Sequence, residues 1–154
     1  MKSTSKSAGL FLVCGTTNGF GKAVAEKLIS NNYSVLGIAR GKEELEKIQS
    51  TYPNQFEYVA GDLSKKETTE KISKQSEGRF INGIFINAGG PPAKTIEETS
   101  MEDWDQAYET LLRWKVDLVK NSYLSLNLRA MDEFSFWKAP LLSNLLKTLS
   151  LAPP

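Results

Sequence analysis

The first residues with chemical potential are Gly15 to Lys22, "GTTNGFGK", which follow the apolar run "GLFLVC". Glycines and a lysine directly after a buried strand let a backbone approach phosphate groups, and two spacings achieve this. A nucleoside triphosphate loop needs G-x-x-x-x-G-K-[ST]. Counted from Gly15, its second glycine falls on Phe20, and the hydroxyl that would hold magnesium falls on Ala23. That reading fails at both positions. Gly15, Gly19 and Gly21 instead form G-x-x-x-G-x-G, the spacing of a dinucleotide loop. The first glycine permits the tight turn, and the others let the backbone reach a pyrophosphate and the helix pack on the sheet. Taken alone, the same pattern also fits a glycine-rich turn with no ligand.

Other residue types remove whole chemistries. The 154 residues contain no histidine, which excludes Ser-His-Asp hydrolysis, Cys-His proteolysis and most zinc sites. The single cysteine, Cys14, allows no internal disulfide, fits a reducing compartment, and reads as a small buried core residue. With a net charge of +1 and scattered lysines, no strong field points to nucleic acid or an anionic membrane. The N-terminal "MKSTSKS" lacks the apolar core of a signal peptide, and no stretch approaches a membrane span. A cytoplasmic protein without nucleic-acid or membrane partners is expected.

The elements that must position the loop are legible as alternating apolar and charged runs. Gly9 to Val13, Tyr33 to Ala39, "FEYVAGDL" and "INGIFINAGG" read as strands. Between them, "KAVAEKLISN" places Val24, Leu28 and Ile29 at helical spacing, and "KEELEKIQSTY" turns Leu45 and Ile48 inward. "SKKETTEKISKQS" predicts a third helix, with Ser64 as N-cap and Glu67 completing a capping box. "SMEDWDQAYETLLRWKVDLVK" predicts one long amphipathic helix with Trp104, Leu111, Leu112 and Val116 in the core. Such alternation implies an α/β fold with a parallel sheet and helices on both faces.

Three further features join the glycine loop. Asp62-Leu63 follows the third strand, "INAGG" ends the fourth, and "DWD" opens the long helix. Together they resemble the short-chain dehydrogenase/reductase family, whose signatures are T-G-x-x-x-G-x-G, an acidic residue after the third strand, and N-[NA]-A-G. The resemblance runs from about Gly9 to Lys120. It implies a partial Rossmann fold, a doubly wound parallel sheet of strand order 3-2-1-4 with an incomplete C-terminal half. It also implies roles. Gly15, Thr17, Asn18, Gly19, Phe20 and Gly21 would hold the pyrophosphate. Asp62 would bond the adenine amino group, with Leu63 packing on the ring. Asn87, Ala88 and Gly89 would line the adenosine ribose and brace the sheet.

The second strand ends in "IAR". A domain that prefers NAD places a carboxylate there for the ribose 2′-hydroxyl, but here Ala39 and Arg40 stand in its place. A guanidinium suits a 2′-phosphate, so NADP is expected ahead of NAD. An ordinary solvated arginine is the other reading of Arg40. Cys14 replaces the threonine that usually begins the loop motif, which weakens or removes one internal hydrogen bond. Leu111 stands where the family usually carries a proton-relay asparagine.

The family's catalytic tyrosine, its lysine four residues on, and its serine lie beyond the long helix. No Y-x-x-x-K occurs there: Asn127 stands four residues after Tyr123, while Tyr108 sits in the wrong helix. No catalytic residue is assigned. After Lys120 the chain changes character, and the Leu-rich, Pro-ending tail shows no fifth strand. Read from Met131 onward with each codon's third base joined to the next two, codon degeneracy permits "GRILFLESAS". That string looks like the family's fifth strand running into its serine. A reading-frame shift near Lys120 and a genuinely divergent tail are the two explanations.

The expected organisation is a polar extension over 1–8, an NAD(P)-binding domain over 9–120, and an atypical tail over 121–154. The function implied is that of an NAD(P)-dependent oxidoreductase by lineage, inactive as this chain stands. The alternative is a non-catalytic nucleotide-binding or interaction protein. Expected partners are the dinucleotide, a small carbonyl or alcohol substrate in intact relatives, and, as one option, a second copy of the chain.

Overall fold

The computed structural model describes residues 9–87 and 93–122. Four parallel strands form one sheet in the order β3-β2-β1-β4: β1 is Leu10–Cys14, β2 Ser34–Ala39, β3 Phe56–Ala60 and β4 Ile81–Phe85. The helices between them are α1 (Gly19–Ser30), α2 (Lys42–Thr51) and α3 (Lys66–Ser76). After β4 come α4 (Met101–Tyr108), a π-helical turn (Glu109–Arg113) and α5 (Trp114–Ser122). The expected α/β class and strand order hold.

Alternation along the central strands sends side chains to two cores. Leu10, Leu12, Cys14, Leu36 and Ile38 pack with Ile72 of α3 and with Trp114 and Leu118 of α5. Val13, Val35, Ala39 and Phe56 pack with Ala25 and Ile29 of α1 and Leu45 of α2 on the opposite face. Both faces of β1 and β2 are therefore covered, as continuous apolar parallel strands require. Gly37 sits mid-strand because the Phe56 ring and the Thr16 hydroxyl occupy the space its Cβ would need. Where β1 meets β4 the register slips between Leu10 and Phe11, and the Asn82 side chain accepts the Leu10 N–H at 3.1 Å.

Three sequence expectations need correction. α1 begins one turn before Lys22, inside the glycine loop, so Gly19 and Gly21 are helical. Ser64 does not cap α3: Lys65 precedes the helix without a side-chain cap, and the Ser64 hydroxyl donates to Asp62 instead. The long helix does not bury the face read from its periodicity. Trp104, Leu112 and Val116 are 55%, 50% and 55% exposed, and Leu111 is exposed as well. The buried residues are Trp114, Leu118 and Ser122. The π-helical turn, Glu109–Arg113, holds an extra residue and rotates α5 relative to a regular 3.6-residue stripe, which moves Val116 outward, while Trp104 and Leu111 face the cleft instead of the core. The tail readings, Tyr123 included, lie outside the described residues.

Candidate functional site

A cleft of about 1320 Å³ opens at the C-terminal ends of β1, β2 and β3. This is where open α/β sheets bind ligands, beside the point where strand order reverses. Four chain segments and the α4 arm wall it. The glycine loop contributes Gly15, Thr17 and Asn18. The β2–α2 connection contributes Ala39, Arg40 and Gly41, the β3–α3 turn Asp62 and Leu63, and the end of β4 Asn87.

The glycines divide by task. Gly15 has φ +73 and Gly19 φ +53, both in the left-handed region. A Cβ on Gly21 would overlap the Gly15 carbonyl oxygen and come within 2.8 Å of the Cys14 carbonyl. These are backbone atoms that cannot swing aside, so Gly21 is the close-packing glycine of the loop. Nothing among the described residues lies within 4 Å of a Cβ built on Gly19, which leaves that side of the loop open. Asn18, the residue before α1, makes no side-chain cap. The first amides of α1 therefore keep their hydrogens for an anion. Beneath the loop, Thr16 is fully buried, and its Oγ1 has no hydrogen-bond partner among the described residues.

Asp62 is held by its own turn. Its Oδ1 accepts the Ser64 N–H at 2.9 Å and the Ser64 hydroxyl at 2.8 Å. These bonds hold the carboxyl below the usual carboxylate range, with smaller help from the Arg40 and Lys65 charges. No bond falls on Oδ2 among the described residues, so that oxygen remains free to accept a donor in the cleft. Cys14 lies under the loop. Burial pushes its thiol up to about 12, against the Asn87 backbone N–H and the Lys115 charge, which pull it down. A thiol held protonated is a core group and no nucleophile.

Of the twelve residues expected at the site, Gly15, Thr17, Asn18, Arg40, Asp62, Leu63 and Asn87 line this one cleft. Gly19 and Gly21 shape the loop behind it. Phe20 does not line it and is 80% exposed, because α1 turns that position outward. Ala88 and Gly89 lie outside the described residues. Several lining residues were not singled out from the sequence. Glu44 enters from the first turn of α2, Lys94 from the stretch before α4, and Thr110 and Trp114 from the arm, where Trp104, expected in the core, also lines the cleft. Lys94 Nζ bonds both Asp103 carboxylate oxygens at 2.8 Å, and Asp103 closes a capping box with Ser100. The S-x-x-D spacing at Ser100 carries that signal in the sequence. Leu111 does line the cleft, as an apolar wall without donor or acceptor. The Trp114 indole N–H is taken by the Thr110 carbonyl at 2.6 Å.

No group of three or more potential metal ligands occurs among the described residues, and no helix there is long and apolar enough to cross a membrane.

Comparison with known proteins agrees with this architecture. Serine 3-dehydrogenase of Rhizobium radiobacter is 28% identical over 106 residues, covering 67% of this chain and 43% of that protein. The NADPH-dependent 3-dehydrocapnine reductase of Ornithobacterium rhinotracheale is 28% identical over 106 residues, covering 64% and 36%. The crystal structure of a short-chain dehydrogenase from Streptomyces avermitilis matches with a TM-score of 0.69 at 27% identity, over 76% of this chain and 44% of that one. The chain thus spans less than half the length of these relatives. The family pattern described as short chain dehydrogenase matches residues 10–123, and the chain belongs to that family.

Proposed function

We propose that residues 9–120 form an NAD(P)-binding domain, flanked by a polar extension over 1–8 and an atypical tail over 121–154. The cleft holds the adenosine and pyrophosphate part of NADP. The observation that carries this reading is the convergence of Gly15, Asn18, Arg40, Asp62, Leu63 and Asn87 on one cleft at the strand ends. The loop fits the group: its Gly19 side is open, its Gly21 side is closed by backbone, and the helix behind it is uncapped. In this reading the loop amides and the α1 N-terminus neutralise the pyrophosphate. Thr17 and Phe20 belong to the same loop, with Thr17 facing the cleft. Asp62 accepts from the adenine amino group through its free oxygen, while Leu63 packs on the ring. Asn87, followed by Ala88 and Gly89, lines the ribose. Arg40 takes the 2′-phosphate, for which a planar guanidinium is suited and Ala39 offers no competing carboxylate. The NADPH-dependent relative named above favours NADP over NAD.

In intact relatives the bound cofactor would supply hydride to a carbonyl in its reduced form, or take hydride from an alcohol in its oxidised form. This chain's own side chains do less. Leu111 cannot pass a proton, and the sequence offers no tyrosine with a lysine four residues on. The chain is therefore an oxidoreductase by lineage that binds its cofactor without turning it over. A frame shift near Lys120 accounts for the tail. Sequencing the gene tests that origin: family-like protein in the shifted frame past Pro154 is expected, and its absence overturns it.

The cofactor assignment is tested by titrating NADPH and NADH against the purified chain and its Arg40→Ala variant. The variant should lose about tenfold in NADPH affinity, roughly 1.4 kcal/mol, with little change for NADH. Equal affinity of the unaltered chain for both cofactors overturns the role of Arg40.

A further inference from the structure

Arg40 is not the only charge at the end of β2. Glu44 lines the same cleft from the first turn of α2, with Arg40 and Gly41 as its neighbours along the wall. Gly41 has φ −75, which any residue adopts, so its backbone does not demand glycine. What the missing Cβ provides is room: a Cβ there would overlap the Glu44 carboxylate, which folds back over the Gly41 backbone. Glu44 is exposed, and it forms no ion pair with Arg40 or any other cation among the described residues. The adjacent Lys42 is engaged with Glu46 at 3.5 Å instead. An unneutralised carboxylate thus stands in the part of the cleft where the proposed reading places a 2′-phosphate.

We propose that Glu44 is a specificity-determining residue, an anionic counterweight to Arg40 that limits how strongly the cleft favours a 2′-phosphorylated adenosine over a plain one. The inference rests on the reading of the cleft as a dinucleotide site. Like charges repel across the cleft, and the penalty falls on the ligand that carries the extra phosphate. Both NADPH and NADH meet the glycine loop and Asp62 alike, so Glu44 acts on the difference between them. Gly41 keeps the carboxylate in place by offering no side chain to displace it.

The test uses the full chain and four probes: NADPH, NADH, 2′,5′-ADP and 5′-AMP. Glu44→Gln keeps the shape and removes the charge. Glu43→Gln removes a charge from the same exposed turn at a position that does not line the cleft. Glu44→Gln is expected to tighten NADPH and 2′,5′-ADP by about three- to tenfold, an effect that shrinks in high salt. NADH and 5′-AMP should change by less than about twofold, and Glu43→Gln should leave all four within about twofold. An unchanged NADPH-to-NADH ratio in Glu44→Gln overturns the inference while leaving the dinucleotide site standing. So does Glu43→Gln reproducing the effect, or Glu44→Gln weakening NADH, which would make Glu44 a ribose ligand. Failure of the folded, unaltered chain to bind any of the four probes overturns the dinucleotide site and the inference together.

Discussion

Two regions of this molecule use apolar residues in opposite ways. Across β1, α1, β2 and α2, apolar side chains close two cores, and Leu12, Val13, Leu36, Ile38 and Leu45 are wholly buried. Along α4, the π-helical turn and α5, most are on show: Met101, Trp104, Tyr108, Leu112 and Val116 are all exposed. Among the described residues, Trp114 and Leu118 are the apolar side chains of that arm that enter the core shared with Ile72 and Ile81. The first region is held by burial on both faces, so its glycine loop is rigidly placed. The second enters the core through Trp114 and Leu118, and most of its other apolar surface walls the cleft or meets solvent.

The largest expected effect follows from that contrast. Trp114→Ala should cost about 3–5 kcal/mol in urea unfolding, because it empties a buried site in the core. Val116→Ala, two residues on, should stay within about 0.5 kcal/mol. Equal losses at the two positions would break the comparison, since they would put the read helical face back in the core.

Within the sheet half, Gly21→Ala should cost roughly 1–3 kcal/mol and weaken NADPH binding, because its Cβ meets immobile backbone. Gly19→Ala meets only the strain of its positive φ, about 1–2 kcal/mol, with no clash. Thr16→Val should gain about 1 kcal/mol by removing a buried hydroxyl without a partner in the described structure.

The smallest effect concerns acid. The Ser64 bonds depress the folded-state pKa of Asp62, so the unfolded chain takes up the proton first as pH falls. The stability this lends is complete above about pH 3.9 and is lost as pH drops through the lowered folded value. Asp62→Asn should flatten the acid limb of the stability curve and leave its slope near neutrality unchanged. An acid limb identical to that of the unaltered chain would remove Asp62 from it.

The sheet half was readable because each strand and helix there has one regular period, and burial follows period. The inward turn of Leu45 and Ile29 follows from it, whereas the strand order and the meeting of Gly15, Arg40, Asp62 and Asn87 at one end of the sheet were implied by the family resemblance. The arm was misread because a π-helical turn has no residue signature that periodicity detects. Trp104, Leu111, Leu112 and Val116 fit a regular stripe, and the turn that contains Leu111 and Leu112 breaks it before Val116. Ser64 was misassigned for a different reason: a serine after an aspartate can cap a helix or satisfy the aspartate, and local geometry decides. Glu44 left no signal at all, because a first-turn glutamate is ordinary helix chemistry until the fold sets it beside Arg40.

Calorimetric titration of NADPH into the purified full chain, followed in the same cell by a panel of carbonyl compounds with absorbance at the reduced nicotinamide band, tests the central claim most directly. Saturable one-to-one binding of NADPH, tighter than that of NADH and without oxidation of the cofactor, is the expected result. A folded chain that binds neither cofactor, or one that oxidises NADPH against a carbonyl, would contradict it.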